Sequence, residues 1–334
     1  MNKLERETKL PDLGLIQRLH QAYYVEEVSA DGQISSHWKQ CSEKLKFRLG
    51  EKGIPDEVSG YGFGDLELHR VPYKLLCYVF MASHLVNLAD RQHLMRVLKG
   101  GLAICRRMGL SFAQDAFRQV RSLALIETHL SSVHREKHLR VIIIGDGYGF
   151  FASLFRERHP NSTIVLIDLG KILVFQAYYC QKAHPDKVHQ SVLDGGRLDL
   201  SKCDFVYCPA EFLTRVSQFK YDVAVNIASM QEMTKESLVG YFEFLRQHMV
   251  TDGLFYCCNR ERKVLIGGEI VEFREYPWHP KDVHLVDEGC PWHKYYASFT
   301  TTSNGPRVLG MRVPFVNYYD GPTWHRLSRL HTMG

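Results

Sequence analysis

Leu139-Arg140-Val141-Ile142-Ile143-Ile144-Gly145-Asp146-Gly147-Tyr148-Gly149 is a short β-branched run that ends in three alternating glycines. A run of six residues, apolar but for one, suits a strand buried on both faces. Gly145 permits a tight turn, and Gly147 lets a ligand approach the backbone. Phe150 to Arg158 then reads as a helix that stops before Pro160. A glycine-rich turn is a weak signal alone, but a preceding strand and a following helix are the context it needs.

The same alternation continues outward. Thr163–Asp168, Cys203–Cys208, Tyr221–Ile227 and Gly253–Cys258 read as further buried strands. Gly170–His184 and Lys235–Met249 read as helices, the second capped by Thr234. Strands alternating with helices of this length predict βαβ units and a doubly wound parallel sheet. Ligands of such sheets bind outside the carboxyl ends of the strands. The second strand ends in Asp168, an acid placed to accept hydrogen bonds from ribose hydroxyls or to cap the next helix. Phe150 stands where a dinucleotide fingerprint wants a small third residue, and no Gly-Lys-Ser/Thr follows the turn. An NAD(P)-dependent oxidoreductase is therefore disfavoured, and a P-loop is not indicated.

Before the sheet the texture is helical. Apolar residues recur at three- and four-residue steps from Val71 to Leu130, with Gly100-Gly101 and Gly109 as candidate breaks. We expect a helical domain over residues 1–135, a catalytic domain over 136–316 and a loosely packed tail over 317–334. Tyr295–Thr302 and Arg307–Pro314 read as an antiparallel hairpin closing the sheet. Of the 334 residues, 45% are hydrophobic and 24% charged, which excludes disordered and collagen-like chains. The net charge of +5 is too small and scattered to argue for a nucleic-acid partner. No apolar run is long enough for a membrane span, and Met1–Glu7 lacks the character of a signal peptide. Nine cysteines without a CxxC fit reduced thiols in a cytoplasmic protein.

Three segments carry a family resemblance: Ile144–Gly149, Leu166–Leu169, and Val225-Asn226-Ile227-Ala228-Ser229-Met230-Gln231-Glu232-Met233. Together they resemble the class I S-adenosyl-L-methionine-dependent methyltransferases. With Ser36-His37-Trp38 and Phe255–Arg260 they more narrowly resemble the sugar O-methyltransferases found with bacterial polysaccharide biosynthesis. The resemblance implies a Rossmann-like α/β sheet, parallel with an antiparallel C-terminal hairpin, preceded by an α-helical domain. It implies S-adenosyl-L-methionine as cofactor, cradled by Gly145, Asp146, Gly147, Tyr148 and Gly149. Asp168 and Leu169 would hold the ribose, Tyr207, Cys208 and Pro209 would lie near adenine, and Asn226 would sit beside the sulfonium. The acid inside the glycine turn, Asp146, departs from the commoner family pattern, as does Cys208-Pro209-Ala210-Glu211 after the third strand.

Methyl transfer to a hydroxyl needs alignment and a proton acceptor. Glu232, six residues past Asn226, is the first candidate base; it would equally suit the start of the following helix. His279 and His293 are the others, carried by two Trp-His pairs in the aromatic stretch Tyr276–Tyr296. That stretch would cap the site with aromatic faces, or simply cover the sheet edge. His279, His284, Cys290 and His293 have irregular spacing and no acid pair, so no metal is expected. The expected acceptor is a small molecule, a hydroxyl of a sugar or sugar-like metabolite such as a nucleotide-linked sugar. An amine, a carboxylate or a natural-product hydroxyl is the alternative acceptor, and a non-enzymatic nucleoside-binding module is a third reading. The N-terminal helices would cover the acceptor or form a homodimer interface.

Overall fold

The computed structural model describes residues 13–26, 34–60, 75, 78–79, 81–82, 91–131, 137–195, 198–298, 305–319 and 321–332. The eight strands of the main sheet are β1 (Leu139–Ile144), β2 (Ser162–Asp168), β3 (His189–Ser191), β4 (Phe205–Pro209), β5 (Tyr221–Ile227), β6 (Met249–Arg260), β7 (Val283–Gly289) and β8 (Thr323–Arg329). Their order across the sheet is β7-β8-β6-β5-β1-β2-β4-β3. The pairs from β3 to β6 are parallel, whereas β8 runs antiparallel to both β6 and β7. This is the expected Rossmann-like sheet, parallel with an antiparallel C-terminal pair.

The α-helices with described bounds are α1 (Leu13–His20), α2 (Ser36–Ser42), α3 (Arg91–Met108), α4 (Gln114–His129), α5 (Phe150–Arg158), α6 (Gly170–Ala183) and α7 (Lys235–His248). Each central strand feeds two cores because side chains alternate across a sheet. Val141 and Ile143 face the core shared with α3, α4, α5 and α6. Ile142 and Ile144 face the core shared with α7. Thr234 caps α7 as expected, its Oγ1 accepting from the Ser237 N–H at 3.2 Å. No helix among the described residues is long and apolar enough to cross a membrane.

The structure corrects three expectations. Gly100-Gly101 does not break a helix but lies inside α3. A Cβ on Gly101 would come within 2.7 Å of Val120 Cγ2, so the glycine lets α3 and α4 approach closely. The segment 317–334 is no loose tail, since Thr323–Arg329 forms a strand between β6 and β7. The closing pair is therefore β7 with β8. Tyr295–Ala297 pairs instead with Val316–Tyr318, and Arg307–Val308 with Met311–Arg312. Residues 299–304 of the expected hairpin, and most of residues 71–90 of the stretch Val71–Leu130 expected to be helical, lie outside the described residues.

Candidate active site

Strand order reverses between β1 and β5, and a cavity of about 310 Å³ opens at their carboxyl ends. That is the usual binding place in a doubly wound sheet. The glycine turn forms one wall. Gly145 has φ +73°, and a Cβ there would come within 2.3 Å of both side-chain atoms of Ser229. The turn and the end of β5 are thus locked face to face. Asn226 makes the lock: its amide donates to the Ile144 carbonyl at 2.8 Å and to Ser229 Oγ. Its oxygen accepts from the Met230 N–H at 3.2 Å and from Asn259 at 2.8 Å. Ala228, on the cavity wall, holds φ +59°, a strained value for a residue with a Cβ.

Two carboxyls sit side by side under this wall. Asp146 accepts from the Phe151 N–H at 3.1 Å and the Ala152 N–H at 2.8 Å, so it caps α5 from inside the turn. Burial pushes it up to about 8, against those two N–H donors and with the neighbouring Asp168 adding to the rise. Asp168 accepts from the Leu169 N–H at 2.8 Å and from Gln176 at 2.6 Å. Burial pushes it up to about 7, opposed chiefly by those same donors.

The far wall comes from the N-terminal helices and the C-terminal segments: Trp38, Asp115, Arg118 and Gln119 with Arg260, His293 and Tyr319. Arg118 donates to the Trp292 and Tyr295 carbonyls, each at 3.2 Å, and its guanidinium lies 4.4 Å from the centre of the Tyr319 ring. Glu232 reaches the cavity with one oxygen paired to Lys263, while the other lies 3.4 Å from His37 Nε2.

Of the site residues expected from sequence, the structure brings Gly145, Asp146, Gly147, Tyr148, Asp168, Glu232 and His293 together on this cavity. The others lie elsewhere. Gly149 has φ +75°, and its missing Cβ makes room for Cys180 Sγ at 2.5 Å; it is a helix-packing residue. Leu169 is the N-cap of α6. Tyr207 turns its hydroxyl to His189 Nδ1 at 2.9 Å, and Cys208 and Pro209 are buried in β4. The end of β4 is engaged by the N-terminal segment instead. Tyr23 donates to Glu211 at 2.8 Å, and its ring fills the space beside Gly170. Asn226 is fully buried and acts on the backbone, not on the cavity.

His279 is removed from the site altogether. Its ring stacks on His331 at 4.9 Å, and its N–H donates to Asp282. The Trp278 beside it packs on Phe242 and Phe255, so this Trp-His pair covers the α7 core. The second pair does border the cavity. There His293 Nδ1 lies 3.2 Å from Cys290 Sγ and 3.7 Å from Cys258 Sγ.

Sequence reading missed Trp38, Arg118, Lys263, Arg260 and Tyr319 as site residues. One signal was present: Gln114, Arg118 and Ser122 repeat every four residues and are all buried. This polar stripe on α4 holds the 292–297 segment, through Gln114 to Ala297 and Ser122 to Trp292.

No protein-family model matches this chain, and no curated protein does. Solved structures align with parts of it. TehB from Haemophilus influenzae aligns at 12% identity and a TM-score of 0.39, over 61% of this chain and 62% of its own. TrmN from Thermus thermophilus aligns at 15% and 0.37, over 64% and 48%. The S-adenosylmethionine-dependent methyltransferase SibL aligns at 14% and 0.30, over 44% and 37%. The chain thus spans less than two thirds of the length of each of these three.

Proposed function

We propose that this chain is an S-adenosyl-L-methionine-dependent methyltransferase acting on a hydroxyl of a sugar-like small molecule. The observation that supports this most is the meeting, in one cavity at the switch point, of the glycine turn, two desolvated carboxyls and Glu232. The donor set fits the cofactor. A carboxylate offers about four lone-pair sites. Asp168 uses three of them on Leu169, Gln176 and the Asp146 N–H, which leaves an acceptor for a ribose hydroxyl. The cluster of acidic groups suits a cationic sulfonium and ammonium, and Ile143, Ile172, Val225 and Ile227 add apolar wall.

When bound, the cofactor would supply an electrophilic methyl group. The chain's residues do the rest. Asp168 holds the ribose end, and the Gly145–Gly147 backbone lies against the ligand. Glu232, oriented by Lys263 and His37, takes the proton of the acceptor hydroxyl. Trp38, Tyr319 and Arg118 form the acceptor side, which gives the N-terminal helices their role as a cover.

Calorimetry of the wild type with S-adenosyl-L-methionine and its demethylated product tests the reading. Micromolar binding is expected, weakened about tenfold by Asp168→Ala, or about 1.4 kcal/mol. No binding by the wild type overturns it. Transfer of a labelled methyl group to nucleotide sugars, set against amine and carboxylate acceptors, then tests the acceptor class.

A pH dependence is expected as well. A diol donates to the ionised form of Asp168, so binding must displace the proton that the raised pKa retains. Affinity therefore increases as pH rises through about 7, and Asp168→Ala flattens the curve. Ligand-free stability moves the other way. The folded state keeps these two protons above the unfolded carboxyl value of about 3.9, so stability falls as pH rises from there to about 8. Calorimetry and thermal unfolding between these limits read both trends.

A further inference from the structure

Behind the cavity wall lies a cluster that the methyl-transfer reading does not use. Cys290 is the N-cap of the 3-10 turn Pro291–His293. Residues three apart on such a turn eclipse, so Cys290 and His293 face the same way. Cys258, at the end of β6, reaches them from the sheet. Cys258 Sγ, Cys290 Sγ and His293 Nδ1 all lie within 4.8 Å of one another, and all three residues are buried. Neither cysteine is in a disulfide.

These are the ligand types and separations of a zinc site. Zinc bonds of about 2.3 Å to sulfur and 2.0–2.1 Å to nitrogen set tetrahedral edges of about 3.8 Å (S to S) and 3.6 Å (S to N). The two observed S-to-N separations, 3.2 and 3.7 Å, bracket that edge. The frame is also fixed beforehand. The Cys290 N–H donates to the Thr323 carbonyl at 2.8 Å, and the Cys258 carbonyl accepts from the Ala228 N–H at 2.8 Å. Arg118 holds the turn through the Trp292 carbonyl.

We propose that Cys258, Cys290 and His293 bind one Zn²⁺, two thiolates and an imidazole nitrogen, with two thiol protons released on binding. His325 stands directly opposite Cys258 in the sheet register, but its Nδ1 lies 3.2 Å from the Tyr256 hydroxyl and its Nε2 is paired with Glu288 at 3.5 Å, so the protein supplies three ligands. The metal clips the 290–293 turn to β6. It thereby fixes the ring that His293 presents to the cavity, while its Nδ1 is turned toward the thiols. Soft thiolate ligands select zinc over the hard cations.

The test uses the reduced full-length protein, stripped with a chelator and titrated with Co²⁺ and then Zn²⁺. The expected result is one equivalent of cobalt with strong thiolate-to-metal absorption, displaced by zinc. Cys258→Ser and Cys290→Ser each weaken binding at least tenfold, and Cys105→Ser, a buried thiol elsewhere, leaves it intact. Should the variants fail to fold, X-ray absorption of the zinc-loaded wild type decides: about two sulfurs at 2.3 Å support the site. No stoichiometric metal, a metal shell without sulfur, or a Cys258–Cys290 disulfide that resists reduction overturns it. The proposal stands apart from cofactor binding, so either can fail alone.

Discussion

Asp282→Ala lowers folding stability by about 3–5 kcal/mol, the cost of leaving a buried charge without its partner. The Asp282 side chain is wholly buried, and Arg246 grips it with both ends, at 2.7 and 2.9 Å. The backbone N–H groups of His279 and His331 each add a hydrogen bond at 2.8 Å. Arg246 also donates to the Pro277 and His331 carbonyls. One ion pair thus ties α7, the segment after Tyr276 and the residues that follow β8. Urea unfolding, read as a shift in midpoint at constant slope, checks the value. The pH sign follows from the same contacts. Burial pushes the Asp282 carboxyl up, but Arg246 and the two N–H donors outweigh it and hold the group below its ordinary value. Its stabilisation is then complete above the unfolded value of about 3.9 and is lost as pH falls through the lower folded one. Asp282→Ala flattens that acid limb.

That ion pair also shows why the sequence misplaced His279. A Trp-His pair near the end of a candidate catalytic domain reads as a site element, and nothing local reveals that its backbone serves Asp282. Five of the six parallel strands, β1, β2, β4, β5 and β6, were legible because each is buried on both faces and so reads as an apolar run. β7 and β8 were not. β7 is an edge strand with mostly exposed side chains, and β8 carries Trp324, His325, Arg326 and Ser328 within a buried register. Neither has a two-residue period sharp enough to find. The glycine turn and Asp168 were legible from context, since a strand before and a helix after fix what such a turn can do. The partners of Glu232 were not: His37 and Lys263 meet it from separate elements, across a distance in sequence that only the fold closes. Cys257 and Cys258 make the same point. Adjacent in sequence, they face opposite cores, and only Cys258 reaches the Cys290–His293 turn.

Glu232→Gln lowers turnover about 10²–10⁴-fold, the usual share of a positioned base, and does not weaken cofactor binding. Glutamine keeps the length and hydrogen-bonding shape of the side chain but takes no proton. On the proposed reading Asp168 and the glycine turn hold the cofactor end, and Glu232 adds to the rise of the Asp168 carboxyl, so loss of its charge favours the ionised form that accepts from the diol. The substitution has a structural side effect that must be separated. Lys263 is slightly more buried than Glu232, with side-chain exposures of 11% and 14%, and loses its counter-charge. Glu232→Gln combined with Lys263→Met removes both charges and restores the balance, so stability recovers while turnover does not. The kinetic split then distinguishes two roles. A fall in kcat at constant acceptor KM means that Glu232 acts on the proton as the transition state forms. A raised acceptor KM with kcat kept means that it only orients the hydroxyl.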